Sequence, residues 1–137
     1  MAARPTAVAV GDRLAPVTRR PDALDLFSFS AAIWLLHRIH YDQEYTTRVE
    51  GHPALLVHGP LQAVYLTQVI RDHFGPSGRL VRFRFRHQVP VHLGDRLVCG
   101  GEVVAFDAER RIATCAVWTE LDDGRRATVG EADVALD

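Results

Sequence analysis

The chain has 137 residues, 47% of them hydrophobic and 24% charged, a size at which one domain buries roughly two-thirds of the surface its unfolded chain exposes, so residues 1–137 read as a single domain. Sixteen Lys+Arg against seventeen Asp+Glu leave a net charge of −1, which offers no electrostatic footprint for nucleic acid or an anionic membrane. Two cysteines, Cys99 and Cys115, without a CxxC or a zinc-like Cys/His spacing, argue against a disulfide framework and a structural metal and point to a reducing, cytoplasmic setting.

The opening MAARPTAVAV contains an apolar run too short for a signal-peptide core, and no stretch of about 18 apolar residues follows it. Residues 11–20, bounded by Gly11-Asp12 and Pro21, read as a first strand. From Pro21 a long apolar run with acids at its start predicts a first helix, with Pro21 at its first position and Phe27, Phe29 and Trp34 in the core. Residues 37–51 (HRIHYDQEYTTRVEG) hold no sustained period and read as a structured excursion with a short helix over 43–49. Long polar excursions in compact domains tend to hold function. Gly59 and Pro60 then open a helix whose apolar face runs through Leu61, Val64, Tyr65, Leu66, Val69 and Ile70, and Gly75-Pro76 stops it after about 21 Å.

Beyond Ser77 the period changes to two. Residues 79–91, 96–106, 111–121 and 125–136 read as strands separated by turns at 92–95, 107–110 and 122–124, an antiparallel meander. Helices in the first half followed by four strands make an α+β fold in which the sheet must cover the long helix. Its remaining edge calls for pairing with a second copy.

The densest polar cluster is His37, Arg38, His40, Tyr41, Asp42, Glu44 and Tyr45, with His52 and His58 further on. Three readings compete for it: a metal site, for which the His37-x-x-His40 spacing matches no known ligand set; a solvated surface loop; and an acid/base site in which a histidine titrating near neutrality sits beside a carboxylate that sets its tautomer. At His58-Gly59-Pro60, a helix start leaves backbone N–H groups without intrahelical partners, which would stabilise an oxyanion; alternatively, Gly59 only gives the helix room to begin.

The run Leu26-Phe27-Ser28-Phe29-Ser30-Ala31, then His37-Arg38-Ile39-His40-Tyr41-Asp42 with Tyr45, then Val57-His58-Gly59-Pro60-Leu61-Gln62, and later residues 83–86, Pro90 and Gly94-Asp95 resemble MaoC-like hot dog acyl dehydratases. The nearest branch resembles mesaconyl-C4-CoA hydratases and mitochondrial 3-hydroxyacyl-thioester dehydratases. The resemblance implies a hot dog fold, a curved antiparallel sheet wrapped around the helix after HGPL, assembled as a homodimer or as a heterodimer with a related subunit. It implies reversible addition of water across the α,β double bond of an enoyl thioester of CoA or a carrier protein, chemistry that needs neither metal nor cofactor. His40 takes the place of the family's hydratase histidine, and Gly59 that of the glycine whose N–H holds the thioester oxygen. Asp42 joins His40 as a catalytic candidate, and His58 and Tyr45 join Gly59 as substrate-binding candidates.

One position departs from the family. Where its motif has an acid, or in the nearest branch an asparagine, five residues before the histidine, this chain has Leu35, which neither transfers a proton nor orients water. Asp42, Glu44 or His37 supplies the missing group, or the chain is a catalytically silent subunit that pairs with an active dehydratase or binds acyl thioesters; a hot dog thioesterase is a further alternative. Arg82, Arg84 and Arg86 share a strand face that meets either solvent or a phosphate. Cys99 and Cys115 read as small core residues, and His73, His87 and His92 show no partner pattern.

Overall fold

The computed structural model describes residues 7–137; most of the amino-terminal stretch read above for a targeting signal lies outside the described residues. In chain order the elements are β1 (Arg13–Arg19), α1 (Ala23–Ala32), a single 3-10 turn (Arg38–His40), α2 (Gln43–Arg48), α3 (Gly59–Phe74), a second 3-10 turn (Gly75–Ser77), β2 (Gly78–His87), β3 (Leu97–Asp107), β4 (Ile112–Glu120) and β5 (Arg126–Leu136). No described helix is long and apolar enough to cross a membrane.

The five strands form one antiparallel sheet in the order β1-β3-β4-β5-β2. The expected meander holds only for β3, β4 and β5. β2 crosses over to pair with β5, and β1 pairs with β3, so strands from either side of α3 in the chain flank the three central ones and the sheet wraps the buried face of that helix. Register shifts in all four strand pairings mark bulges that bend the sheet. α3 touches every strand. Leu66, Val69, Ile70 and Phe74 on its inner face pack with Leu14, Val103, Val117, Ala132 and Val134 of the sheet. Cys99 and Cys115 lie in this core as expected, unpaired, and burial pushes each thiol up to about 12.

The first helix begins later than Pro21. Asp22 is its N-cap, in a capping box with Asp25 in which each carboxylate accepts the other residue's N–H. α1 is also less buried than its composition suggests: only Leu26 and Ser30, one turn apart, are buried, while Phe27 is 58% and Trp34 77% exposed. Trp34 lies beyond the helix in a left-handed conformation (φ 56°), where the Leu35 N–H closes the helix on the Ser30 carbonyl at 2.9 Å. Phe29 alone of the three aromatics packs against the core. On β2, Arg82 and Arg84 form cross-strand ion pairs with Asp133 and Glu131 of β5.

Candidate active site

His40 ends the first 3-10 turn and is 8% exposed. The turn is held against residues 55–57 by the Leu56 N–H donating to the Ile39 carbonyl (3.0 Å), and that strap pairs in turn with residues 91–93 through Val57 N–H to Val91 O and Leu93 N–H to Leu55 O. His40 Nδ1 meets the Leu56 carbonyl at 2.8 Å. A carbonyl only accepts, so Nδ1 carries the hydrogen and Nε2 presents its lone pair. The tautomer is therefore set by a backbone carbonyl rather than by a neighbouring carboxylate. Burial lowers the His40 pKa, with the Leu56 bond opposing the shift and His37 adding to it.

His58 is completely buried behind it. Its ring stacks on that of His40 with centroids 3.8 Å apart and planes 18° from parallel, its Nε2 is 2.7 Å from Ser30 Oγ, and Phe29 packs edge-on at 4.9 Å. The buried pair from α1, Leu26 and Ser30, thus delivers a hydroxyl to His58. Among the described residues, Nδ1 of His58 has no hydrogen-bond partner. Desolvation first, and the neighbouring His40 second, push its pKa down to about 4, so it is a neutral packing partner for His40.

The next residue, Gly59, opens α3 with Pro60 at its first turn. The N–H groups of Gly59 and Leu61 have no intrahelical acceptor, and the helix dipole puts partial positive charge there. A cleft of about 340 Å³ runs past this helix start, with His40, Gly59, Gln62, His87 and Gln88 as its polar features among apolar walls that include Ile39, Val57 and Val91. Among the described residues, no carboxylate lines it.

The structure therefore brings His40 and Gly59 into one cleft, with His58 directly behind. Asp42 and Tyr45 lie in a separate surface hollow with Arg38, Glu44 and Arg48. Asp42 caps α2, and its carboxyl is held below the usual range by the Tyr45 N–H (3.0 Å) and the Arg38 guanidinium (2.8 Å). Tyr45 lies beneath that guanidinium at 4.1 Å and donates its hydroxyl to Glu50. Leu35 is half-buried at the end of α1 and is not among the cleft's lining residues.

Two residues missed from sequence complete the cleft. His87, the last residue of β2, places its Nδ1 2.7 Å from Thr128 Oγ1. A Cβ at Gly59 would come 2.2 Å from His87 Nε2, so the ring fits only against a glycine. Gln62, buried on α3, accepts from Thr119 (2.8 Å) and Thr128 (2.9 Å) at Oε1, which leaves its amide NH₂ as the group with hydrogens to offer. The signal for Gln62 was a polar residue on the apolar face of α3; His87 had none, its partner lying 41 residues away.

A sheet wrapped around one long helix, with the cleft at that helix's amino terminus, is the hot dog architecture. The chain belongs to the hydroxyacyl-thioester dehydratase type 2 family, whose sequence profile matches residues 4–93. It is 49% identical over 71 residues to mesaconyl-C(4)-CoA hydratase of Chloroflexus aurantiacus, covering 52% of this chain and 25% of that protein. It is 30% identical over 84 residues to the mitochondrial hydroxyacyl-thioester dehydratase type 2 of Schizosaccharomyces pombe, covering 60% of this chain and 28% of that one. The chain thus spans about a quarter of the length of these relatives. Among solved structures, the (R)-hydratase of A. caviae involved in PHA biosynthesis superposes with a TM-score of 0.89 at 24% identity, over 96% of this chain and 99% of that one. The ChsH1–ChsH2 complex of Mycobacterium tuberculosis gives 0.86 at 19%, over 96% and 100%. At these identities the two structures establish the shared fold.

Proposed function

We propose that this chain acts, as one hot dog domain, as a hydro-lyase that reversibly adds water to the α,β double bond of an enoyl thioester of CoA or a carrier protein. The observation that carries this reading is the single cleft holding a histidine base of fixed tautomer and a helix amino terminus with free N–H groups. The Gly59 N–H holds the thioester oxygen. Nε2 of His40 takes a proton from water as the oxygen bonds to the β-carbon, and the π electrons move onto the thioester oxygen as an enolate. The protonated His40 then gives that proton to the α-carbon, which restores the carbonyl and the neutral imidazole.

The reading extends to assembly and setting. β1 is a seven-residue edge blunted by Pro16 and a bulge, whereas β2 is a ten-residue edge, bulged only near its start at Val81, that exposes Val81 and Phe85. The β2 edge is therefore the surface for a second copy or a related hot dog subunit. The unpaired thiols of Cys99 and Cys115 support a reducing, cytoplasmic environment. A second reading, a silent partner subunit that binds acyl thioesters, is favoured by the absence of any carboxylate, among the described residues, from the cleft lining. The two separate in an assay with crotonyl-CoA and with a branched or dicarboxylic enoyl-CoA. Loss of enoyl-thioester absorbance, reduced about 10²- to 10⁴-fold in His40→Ala, is the expected result. Release of free thiol signals a thioesterase, and binding without turnover signals the silent subunit.

A further inference from the structure

We propose that His87 is the second water-holding imidazole of this cleft, accepting one hydrogen of the attacking water at Nε2 while Nε2 of His40 takes the other as a proton. The assignment rests on the hydratase reading above. It begins with a row of polar residues across three strands: His87 of β2 stands opposite Thr128 of β5, and Thr128's neighbour in the register is Thr119 of β4 (paired as Thr119↔Thr128). Gln62 of α3 reaches down onto this row. Its Oε1 has lone pairs and no hydrogen, so the hydroxyls of Thr119 and Thr128 both donate into it.

That directionality fixes the histidine. With its one hydrogen directed at Gln62, Thr128 Oγ1 can only accept from His87, so His87 Nδ1 carries the hydrogen of the 2.7 Å contact and Nε2 is left as a lone pair. Nε2 is the ring atom nearest the Cβ position of Gly59, at the helix start where the thioester oxygen is held. His40, which lines the same cleft, is fixed in the same tautomer by the Leu56 carbonyl. Two acceptors in one cleft match the two hydrogens of a water molecule, whose lone pair is then free to meet the β-carbon. His87 thereby supplies the polar partner that Leu35 lacks.

The proton balance is unchanged. One water proton passes to His40 and then to the α-carbon, the hydroxyl oxygen bonds to the β-carbon, and His87 holds the remaining hydrogen without taking it. Both imidazoles act in the neutral form, and burial lowers the pKa of each. His87 is faced by Thr128 of β5, Gln62 and Gly59 of α3 and the Phe85 ring of β2, and His40 by His37 and His58; among these, only the imidazoles titrate.

The test compares kcat and KM for crotonyl-CoA hydration in the wild type, His87→Asn, His87→Phe and His87→Gln. Asparagine keeps only the reach to Thr128, phenylalanine keeps only the volume, and glutamine extends an amide oxygen to the Nε2 position. We expect kcat to fall about 10- to 100-fold in His87→Asn and His87→Phe with KM little changed, and His87→Gln to recover most of that loss. The acid limb of the pH profile should need two deprotonations in the wild type and one in His87→Gln. Wild-type turnover with His87→Asn equally active overturns the assignment and leaves the hydratase reading standing; no hydration by the wild type overturns both. Nitrogen NMR of the resting protein gives a reading independent of turnover, in which an Nδ1–H tautomer supports the assignment and an Nε2–H tautomer refutes it.

Discussion

Replacing Gly59 with alanine tests the packing at the centre of the cleft. The added Cβ would lie 2.2 Å from His87 Nε2, 2.7 Å from Cε1 and 2.8 Å from Cδ2, against roughly 3.4 Å or more for ordinary contact, so the imidazole must retreat by about 1 Å. His87 is exposed at the end of β2, so its ring can swing outward without straining the core, and the main cost is loss of the Thr128 contact, about 1 kcal/mol. Alanine at a position with an ordinary φ returns about 0.4–1 kcal/mol by restricting the unfolded chain. The two nearly offset, so the net expectation is a loss of under about 1 kcal/mol, a shift in melting temperature of a few degrees at most. Because the ring that moves borders the helix amino terminus, a displacement of about 1 Å should also lower enoyl-CoA hydration on the order of 10²-fold. Urea denaturation and the absorbance assay measure the two effects on the same preparation. A Gly59→Ala protein with unaltered turnover would falsify the close approach of His87 to the helix start.

The polar plug and the buried histidine give further expectations. Gln62→Leu leaves the Thr119 and Thr128 hydroxyls without their acceptor inside the core and should destabilise the fold by about 1–3 kcal/mol in denaturant titrations; Thr119→Val in the same background should recover part of the loss. His58, held near 4 against 6.5 when free, is neutral in the folded chain while the unfolded chain gains a proton. Its contribution to stability is complete above pH 6.5 and is lost as pH falls toward 4, by a few kcal/mol at about 1.4 kcal/mol per unit. Denaturation midpoints at a series of pH values should show this slope in the wild type and a shallower one in His58→Gln; identical slopes would contradict a buried neutral His58.

Much of the fold was legible because its signals are local. The Gly59-Pro60 start and the Gly75-Pro76 stop bracket α3, and the alternating burial of β4 follows a strict period of two. Strand order was not legible, because the pairing of β2 with β5 joins residues about fifty positions apart and leaves no trace in periodicity. At the site, the HRIHYD and HGPLQ segments pointed to the two residues that share the cleft, His40 and Gly59. The same segments overstated their neighbours. Asp42 and Tyr45 adjoin His40 in sequence, but the cap of α2 turns both toward Arg38. His87 was invisible because its role depends on a tautomer set through Thr128 and Gln62 from two other elements.

The central claim is that this cleft adds water to a carbon–carbon double bond rather than to a carbonyl. Turnover of crotonyl-CoA in heavy-oxygen water, followed by mass spectrometry of the acyl product, tests it most directly. The label is expected in the β-hydroxyl of an intact thioester, with almost none incorporated by His40→Ala. Label in a free carboxylate with release of thiol, or no incorporation by the wild-type chain, would contradict it.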